Sequence, residues 1–299
     1  MLIGHKKILE RLKIEASAKT LHHAQIFLGP KGVGKSKVAL MLAMHMQCPD
    51  ESQIVLRKQI AEGADFDTII CADDDEVLPI EKIRELIGRI GQSHTKPHLI
   101  FIIENIGRMR IESMNALLKT LEEPPMDTYF FMTAENESDI IPTIRSRSKI
   151  VNFQSVPEKE IYEACRDNAY HEELVKFAVG KPGKLMRLMN DQEYFELHRS
   201  MFSDLNRFLE RPNLPAIFEM VRKYEIKSDS KKTKLAAKEF LDLLITRVRS
   251  IMLSGEISPA LSHLDFTEVV DRIEIAKSDI MGNVNVKLVL ENLLIPFVA

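Results

Sequence analysis

The sequence lacks tryptophan and is poor in cysteine, and the shortage of cysteine argues against two common kinds of cross-link. The three cysteines, Cys48, Cys71 and Cys165, are odd in number and lie far apart along 299 residues. Their number and spacing favour neither a disulfide framework nor a four-ligand zinc site. We therefore expect reduced thiols, no zinc and a cytoplasmic location.

Long hydrophobic runs and a large net charge are absent as well. No apolar stretch approaches the roughly 20 residues of a membrane span. The formal net charge is −3, so any contact with nucleic acid has to come from a local basic face. The charged, amphipathic segment 1–20 predicts a helix and not a signal peptide. A chain of 299 residues has room for about two domains, or for three small ones.

The most informative motif that is present is GPKGVGKS at residues 29–36, which matches the phosphate-binding loop (P-loop) pattern G-x-x-x-x-G-K-[ST]. An apolar run precedes it and a helical pattern follows it, which is the strand–loop–helix setting that the motif needs. The alternative is a glycine-rich turn that matches the motif by chance. Such a turn would not need a strand before it and a helix after it. The motif predicts binding of ATP or ADP with Mg²⁺, in which Lys35 reaches the outer phosphates and Ser36 holds the metal. The predicted nucleotide-binding residues of the loop are Gly29, Pro30, Lys31, Gly32, Val33, Gly34, Lys35 and Ser36.

Strand-like and helix-like segments alternate up to Phe153, and only helical periodicity follows. Alternation of this kind predicts a parallel sheet covered by helices on both faces. The expected fold class is therefore α/β plus all-α. We place a P-loop domain at residues 1–154, a small helical domain at 155–188 and a helical bundle at 189–299.

A second nucleotide motif is incomplete. P-loop hydrolases usually end an apolar strand with two acids, one for Mg²⁺ and one that acts on the attacking water. The candidate strand is LIFIIEN at residues 99–105, where Glu104 takes the metal position and Asn105 the position of the base. An amide cannot accept a proton at neutral pH, so we expect poor hydrolysis. An ordinary buried strand followed by a turn is the alternative.

Residues 113–147, SMNALLKTLEEPPMDTYFFMTAENESDIIPTIRSR, resemble the AAA+ clamp-loader ATPases. NALLKTLEEPP at 115–125 is close to a family signature, and IRSRS at 144–148 resembles the family's Ser-Arg-Cys motif. The segments 22–36 and 80–90 also fit, and GKPGKLMRL at 180–188 is similar to the entry of the family's lid domain. The resemblance is dense over residues 1–153 and thin beyond them.

The resemblance implies a P-loop AAA+ domain, a lid and a helical collar. It also implies partners: other clamp-loader subunits in a hetero-oligomeric ring and, through that ring, a sliding clamp and primer–template DNA. In the family, the arginine of the Ser-Arg-Cys motif reaches the γ-phosphate bound by a neighbouring subunit. Arg147 takes this position here, so the resemblance implies an arginine finger that acts in trans. Thr133 or Asn136 would be the polar residue that senses γ-phosphate.

Several departures from the family pattern bear on activity. Asn105 replaces the acid, Gly183 stands where a lid arginine is expected, and no zinc module follows the P-loop helix. We therefore expect a subunit in DNA replication whose own ATPase is weak or absent and which lends Arg147 to a motor subunit. The alternatives are an active motor subunit of the same assembly, a P-loop phosphotransferase, and an interaction module with a vestigial loop.

A pair of acids, Glu122 and Glu123, precedes Pro124 and Pro125. Because proline stops a helix, this pattern predicts an exposed helix end more readily than an acid/base pair.

Overall fold

The protein forms two compact units, and the first is built around a parallel β-sheet. The computed structural model describes residues 2–50, 52–71, 80–90, 96–224, 230–282 and 284–298. The first unit comprises Met1–Ala164 and Gly180–Gly183, and the second comprises Cys165–Val179 and Lys184–Ala299. The finer division into three domains stays a prediction.

The sheet has five strands in the order β2-β3-β4-β1-β5, and every neighbouring pair is parallel. This arrangement confirms the expected α/β fold. The apolar runs of the sequence predict strands at residues 25–28, 68–71, 98–103, 129–133 and 150–153, and the observed strands agree within one residue at every end. The strands are β1 (Ala24–Leu28), β2 (Thr68–Cys71), β3 (Leu99–Ile103), β4 (Thr128–Ala134) and β5 (Lys149–Asn152).

Helices of the first unit connect these strands. One of them, Ile54–Ala61, was not expected from the sequence, because it buries only Ile60 and so carries little amphipathic pattern. The helices are α1 (Lys6–Ser17), α2 (Lys35–Gln47), α3 (Ile54–Ala61), α4 (Ile80–Arg89), α5 (Ile111–Glu122), α6 (Pro142–Arg145) and α7 (Glu158–Cys165).

Both faces of the sheet are buried, which accounts for the continuous apolar runs of its strands. In β3, Phe101 and Ile103 pack into one hydrophobic cluster with residues of α4 and α5. The alternate residues Ile100 and Ile102 pack into a second cluster with residues of α1 and α2. Burial of each large apolar side chain of this kind contributes about 1.5–3 kcal/mol to the free energy of folding. The two clusters therefore stabilise the sheet whose strand ends carry the P-loop.

The second unit is helical in its described residues, as the periodicity predicts. Helix α10 begins after Asp191, whose side chain accepts a hydrogen bond from the backbone N–H of Tyr194, and Asp265 and Asn285 cap two later helices in the same way. The sequence also predicts a break between helices at residues 227–231, most of which lie outside the described residues. The helices are α8 (His171–Ala178), α9 (Pro182–Asn190), α10 (Gln192–Glu210), α11 (Leu214–Tyr224), α12 (Ser230–Ser254), α13 (Phe266–Met281) and α14 (Val286–Leu294).

A buried polar cluster ties three helices of this unit together around Glu239 of α12. Lys184 Nζ donates to Glu239 Oε2 at 2.5 Å, and Tyr194 Oη donates to Glu239 Oε1 at 2.6 Å. The fully buried His198 places its Nε2 3.2 Å from Glu239 Oε2. Burial acts to raise the pKa of Glu239, but the hydrogen bonds from His198, Lys184 and Tyr194 outweigh it and hold that pKa far below its ordinary value.

Among the described residues, no helix has both the length and the apolar character that crossing a lipid bilayer requires.

Candidate nucleotide site and the arginine cleft

The P-loop connects the end of β1 to the start of α2, and all three of its glycines, Gly29, Gly32 and Gly34, have a positive φ. Gly29 has φ 151°, and a Cβ atom there would collide with the carbonyl oxygen of Phe153. Its N–H donates to Ala134 O at 3.2 Å, which fastens the loop to the end of β4. Gly34, with φ 108°, precedes the first residue of α2, and its carbonyl accepts the N–H of Val38 at 3.0 Å. The loop thus leads directly into a helix N-terminus, the setting that suits phosphate.

Lys35 is held against this loop. Its side chain is buried, and Nζ donates to Gly29 O at 2.5 Å and to Pro30 O at 2.7 Å. Burial lowers the pKa of Lys35, while the carboxylates of Glu135 and, more weakly, Glu104 act in the opposite direction. The ammonium therefore lies in the field of two acids from neighbouring strand ends.

Glu104 and Asn105 directly follow β3, as the sequence predicts. Glu104 is half-buried, and its backbone N–H donates to Cys71 O at 3.0 Å. Asn105 adopts φ 52°, a left-handed conformation that asparagine tolerates better than most residues. Its backbone N–H donates to the buried Thr133 Oγ1 at 2.8 Å, so this hydroxyl braces the turn after β3.

Glu135 occupies the position at the end of β4 that faces Asn105. Asn105 Nδ2 donates to Glu135 Oε1 at 3.5 Å. The next residue, Asn136, is exposed, and its backbone N–H and side chain both donate to Asp139 Oδ2 at 3.1 and 3.2 Å. Asn136 is therefore engaged by a local turn, whereas Glu135, which the sequence motifs do not indicate, is the residue that contacts Asn105. The only sequence signal for Glu135 is its place directly after the apolar run of β4.

The predicted magnesium ligands are compatible with the metal. Ser36 stands in the first turn of α2 and Glu104 at the end of β3, and both offer the oxygen donors that Mg²⁺ prefers. Mg²⁺ bound there with a nucleotide would neutralise phosphate charge. Within the part of the chain that the structure describes, no group of three or more histidine, cysteine or acidic side chains is arranged to hold a metal by itself.

Gly183 packs directly on the P-loop backbone. Its N–H donates to Gly32 O at 2.8 Å. A Cβ atom at residue 183 would lie 3.2 Å from the same oxygen, so even a small side chain would be crowded. This position therefore supplies a backbone contact to the loop and no positive charge.

Arg147 lies in a separate cleft of about 440 Å³. Its side chain is one-third exposed and forms an ion pair with Glu122. Nη1 donates to Thr143 O at 2.9 Å and to Ser146 Oγ at 3.1 Å. The residues that line the cleft are His22, His23, Leu121, Glu122, Ser146 and Arg147.

The cleft and the P-loop lie at opposite edges of the sheet. Strands β1 and β5 run parallel, with Gln25 paired to Lys149 and Leu28 paired to Asn152. Arg147 precedes Lys149 by two residues, so it lies at the amino-terminal edge, whereas the P-loop follows Leu28 at the carboxyl-terminal edge. The five residues of β1 separate these edges by roughly 16 Å.

The parallel sheet, the P-loop between β1 and α2 and the helical second unit define a P-loop nucleotide-binding fold of the AAA+ class. The family model described as "DNA polymerase III, delta subunit" matches residues 4–157, just over half of the chain. The chain belongs to this family.

Individual proteins that resemble this chain are also named as DNA polymerase III subunits. A DNA polymerase III subunit gamma of Buchnera aphidicola (subsp. Schizaphis graminum) is 26% identical over an alignment of 247 positions, and the match covers 77% of this chain and 68% of that protein. A DNA polymerase III subunit tau of Bacillus subtilis is 30% identical over an alignment of 168 positions, and the match covers 54% of this chain and only 30% of that protein. The chain thus spans less than a third of the tau relative.

Among solved structures, a DNA polymerase III gamma subunit-related protein of Thermotoga maritima superposes with a TM-score of 0.58 at 18% identity. The match covers 97% of this chain and 98% of that protein, and it confirms the fold. Together, the family model and the relatives support the coarser part of the expected resemblance, the clamp-loader AAA+ family.

Proposed function

We propose that this chain is a clamp-loader subunit of the delta-prime type in DNA replication. In this role it binds ATP or ADP with Mg²⁺ at its P-loop, hydrolyses ATP poorly, and supplies Arg147 to the nucleotide site of a neighbouring motor subunit. Its partners are other DNA polymerase III subunits in a hetero-oligomeric ring, which engages a sliding clamp and primer–template DNA in the cytoplasm.

The observation that carries this proposal is the position of Arg147 relative to the chain's own P-loop. The two lie at opposite edges of the sheet, about one strand length apart. An arginine that cannot reach the phosphates of its own site is available to the site of an adjoining chain. Guanidinium suits this role because it is always charged and can grip phosphate oxygens through two hydrogen bonds.

The chemistry at the end of β3 supports weak hydrolysis. Asn105 cannot take a proton from water, and general-base catalysis typically contributes about 10²–10⁴ in rate. Gly183 adds no positive charge to the phosphates. A chain with both features is better suited to a supporting subunit than to a motor.

An active motor subunit of the gamma type is the second candidate. One observation favours it: Glu135 places a carboxylate opposite Asn105, where it could replace the missing base. The relatives named gamma and tau are compatible with either role.

ATP turnover measured with and without partners distinguishes the two candidates. We expect the isolated chain to hydrolyse ATP near background, and turnover to appear when the chain co-assembles with a gamma/tau-type subunit of the same organism. A rate of about 1 s⁻¹ or more for the isolated chain, at the lower end of ordinary enzymes, would favour the motor if Lys35→Ala abolished it.

A further inference from the structure

Two histidines share the cleft with Arg147. His22 and His23 directly precede β1, and both line the cleft. Strand β1 pairs in parallel with β5, and Gln25 lies opposite Lys149. His23 and Arg147 each lie two residues before this pair, so the strand register brings the histidines and the guanidinium to neighbouring positions at one edge of the sheet.

His23 is engaged within the protein. Its Nε2 lies 3.0 Å from Leu121 O, and because a carbonyl oxygen only accepts, Nε2 carries the proton and donates. Burial lowers the pKa of His23, and this effect outweighs the opposing hydrogen bond to Leu121. The ring of His23 is therefore neutral at physiological pH, and its N–H is not available to a ligand.

His22, in contrast, has one ring nitrogen available. The Ala24 N–H donates to His22 Nδ1 at 3.2 Å, which assigns the proton of the neutral ring to Nε2. A charged ring donates from both nitrogens, and Ala24 O lies 3.0 Å from Nδ1 to accept one of these bonds. His22 is exposed, and in the described part of the chain its Nε2 has no hydrogen-bond partner.

Stacking on His23 orients the His22 ring. The two ring centroids are 4.4 Å apart, and the ring planes are inclined by 27°. His23 is in turn bonded to Leu121, the residue before Glu122, which forms the ion pair with Arg147. The same end of α5 therefore supports both the imidazole and the guanidinium.

The charges in the cleft give a second donor a purpose. The positive charge of Arg147 is balanced by the carboxylate of Glu122, and His23 is neutral. A phosphate that enters the cleft is attracted by the guanidinium but repelled by the carboxylate. A further N–H donor in the cleft offsets this repulsion, and His22 is the imidazole whose N–H is available.

We propose that His22 also acts in trans, and that its Nε2–H binds an oxygen of the terminal phosphoryl group that Arg147 contacts in the neighbouring subunit. This inference rests on the proposed function, because it assumes that a neighbour's nucleoside triphosphate reaches the cleft. It adds a second residue to that contact and assigns to His23 the support of the His22 ring.

The test uses the complex that this chain forms with a gamma/tau-type subunit of the same organism, and it measures turnover at saturating ATP. His22→Leu removes both ring nitrogens, whereas His22→Gln keeps an N–H donor. The matched control is His263→Leu, the same change at an exposed histidine of the second unit. Gel filtration of each complex checks assembly.

We expect His22→Leu to assemble normally and to lower turnover about tenfold or more, as the loss of one hydrogen bond to a charged group does. His22→Gln should recover most of this loss, and His263→Leu should match the wild type. Equal losses for His22→Leu and His22→Gln, or failure of either variant to assemble, would overturn the inference, because His22 would then maintain structure and not bind phosphate.

Arg147→Ala in the same assay separates the inference from the proposed function. If Arg147→Ala slows turnover and His22→Leu does not, the inference is wrong and the proposed function stands. If Arg147→Ala leaves turnover unchanged, the proposed function fails and the inference fails with it.

Discussion

Arg147 and Glu122 form an ion pair that joins the turn after α6 to the end of α5, 25 residues apart in the chain. Thr143 O and Ser146 Oγ accept further hydrogen bonds from the same guanidinium. Three acceptors of this one chain therefore orient Arg147, which reduces the freedom it would lose on meeting a phosphate.

Glu122→Ala should lower partner turnover several-fold and barely change stability. The pair is exposed, with Arg147 one-third and Glu122 one-half accessible, and exposed pairs contribute about 0–1 kcal/mol. Denaturant unfolding of the chain and ATP turnover of the assembled complex measure the two effects separately. Wild-type turnover in the variant complex would show that Glu122 does not position the arginine.

Lys35→Ala should weaken nucleotide binding by about 100-fold or more while the chain remains folded. The ammonium is the one cationic side chain that the motif places on the outer phosphates. The exposed Lys37, on the same helix, provides a matched control for loss of a positive charge near the loop. Calorimetric titration with ADP checks affinity, and circular dichroism checks the fold. Equal losses for Lys35→Ala and Lys37→Ala would mean that only overall charge matters.

Glu239→Ala should destabilise the second unit by about 3–5 kcal/mol, because it removes the acid that the buried Lys184, Tyr194 and His198 all contact. Glu256→Ala is the matched control, since Glu256 pairs with Arg247 and is about half-exposed. That change should cost no more than about 1 kcal/mol. The free energy of unfolding in urea measures both. Similar losses for the two variants would contradict the view that the cluster around Glu239 is buried and coupled.

The same glutamate predicts part of the acid sensitivity. Burial acts to raise the pKa of Glu239, but His198, Lys184 and Tyr194 hold it far below its ordinary value of 4.5. A carboxyl with a depressed folded pKa contributes its stability above the unfolded pKa and loses it as the pH falls through and below that value.

Unfolding free energy should therefore decrease below about pH 4.5, and Glu239→Gln should flatten that part of the profile. Asp242 and Arg187 also act on this cluster, through Tyr194, so the comparison of wild type with Glu239→Gln isolates the Glu239 contribution. Parallel acid profiles for the two proteins would refute this assignment.

Much of the fold could be predicted because its signals are local. Each strand is marked by a short apolar run, and the P-loop is marked by the glycines of residues 29–34. Signals of this kind are contained in a few consecutive residues. Helix ends were predicted less well. The helical pattern predicts a helix over residues 37–46, whereas α2 begins at Lys35, directly after the left-handed turn at Gly34. The sequence likewise predicts a helix over residues 140–147, but α6 is only Pro142–Arg145, since Ile141 precedes a proline and is extended.

The side-chain pairings could not be predicted, because each joins residues far apart in sequence. The sequence predicts that Glu122 lies at an exposed helix end, and the structure agrees. Its ion pair with Arg147, however, depends on how α5 and α6 pack. Glu135 could not be identified because its contact is with Asn105, which is 30 residues away in sequence and lies at the end of the adjacent strand. Asn136 has the residue type of a γ-phosphate sensor, but its side chain donates to Asp139 in a local turn.

The proposal that Arg147 acts on a neighbour's nucleotide predicts the ATP turnover of a complex assembled with Arg147→Ala. Arg145→Ala is the matched control, because Arg145 pairs with the exposed Glu137 in the same segment. We predict that Arg147→Ala leaves assembly intact and reduces hydrolysis at the adjoining site by about 10³–10⁵, whereas Arg145→Ala keeps it close to wild type. Unchanged turnover with Arg147→Ala in a fully assembled complex would contradict the account.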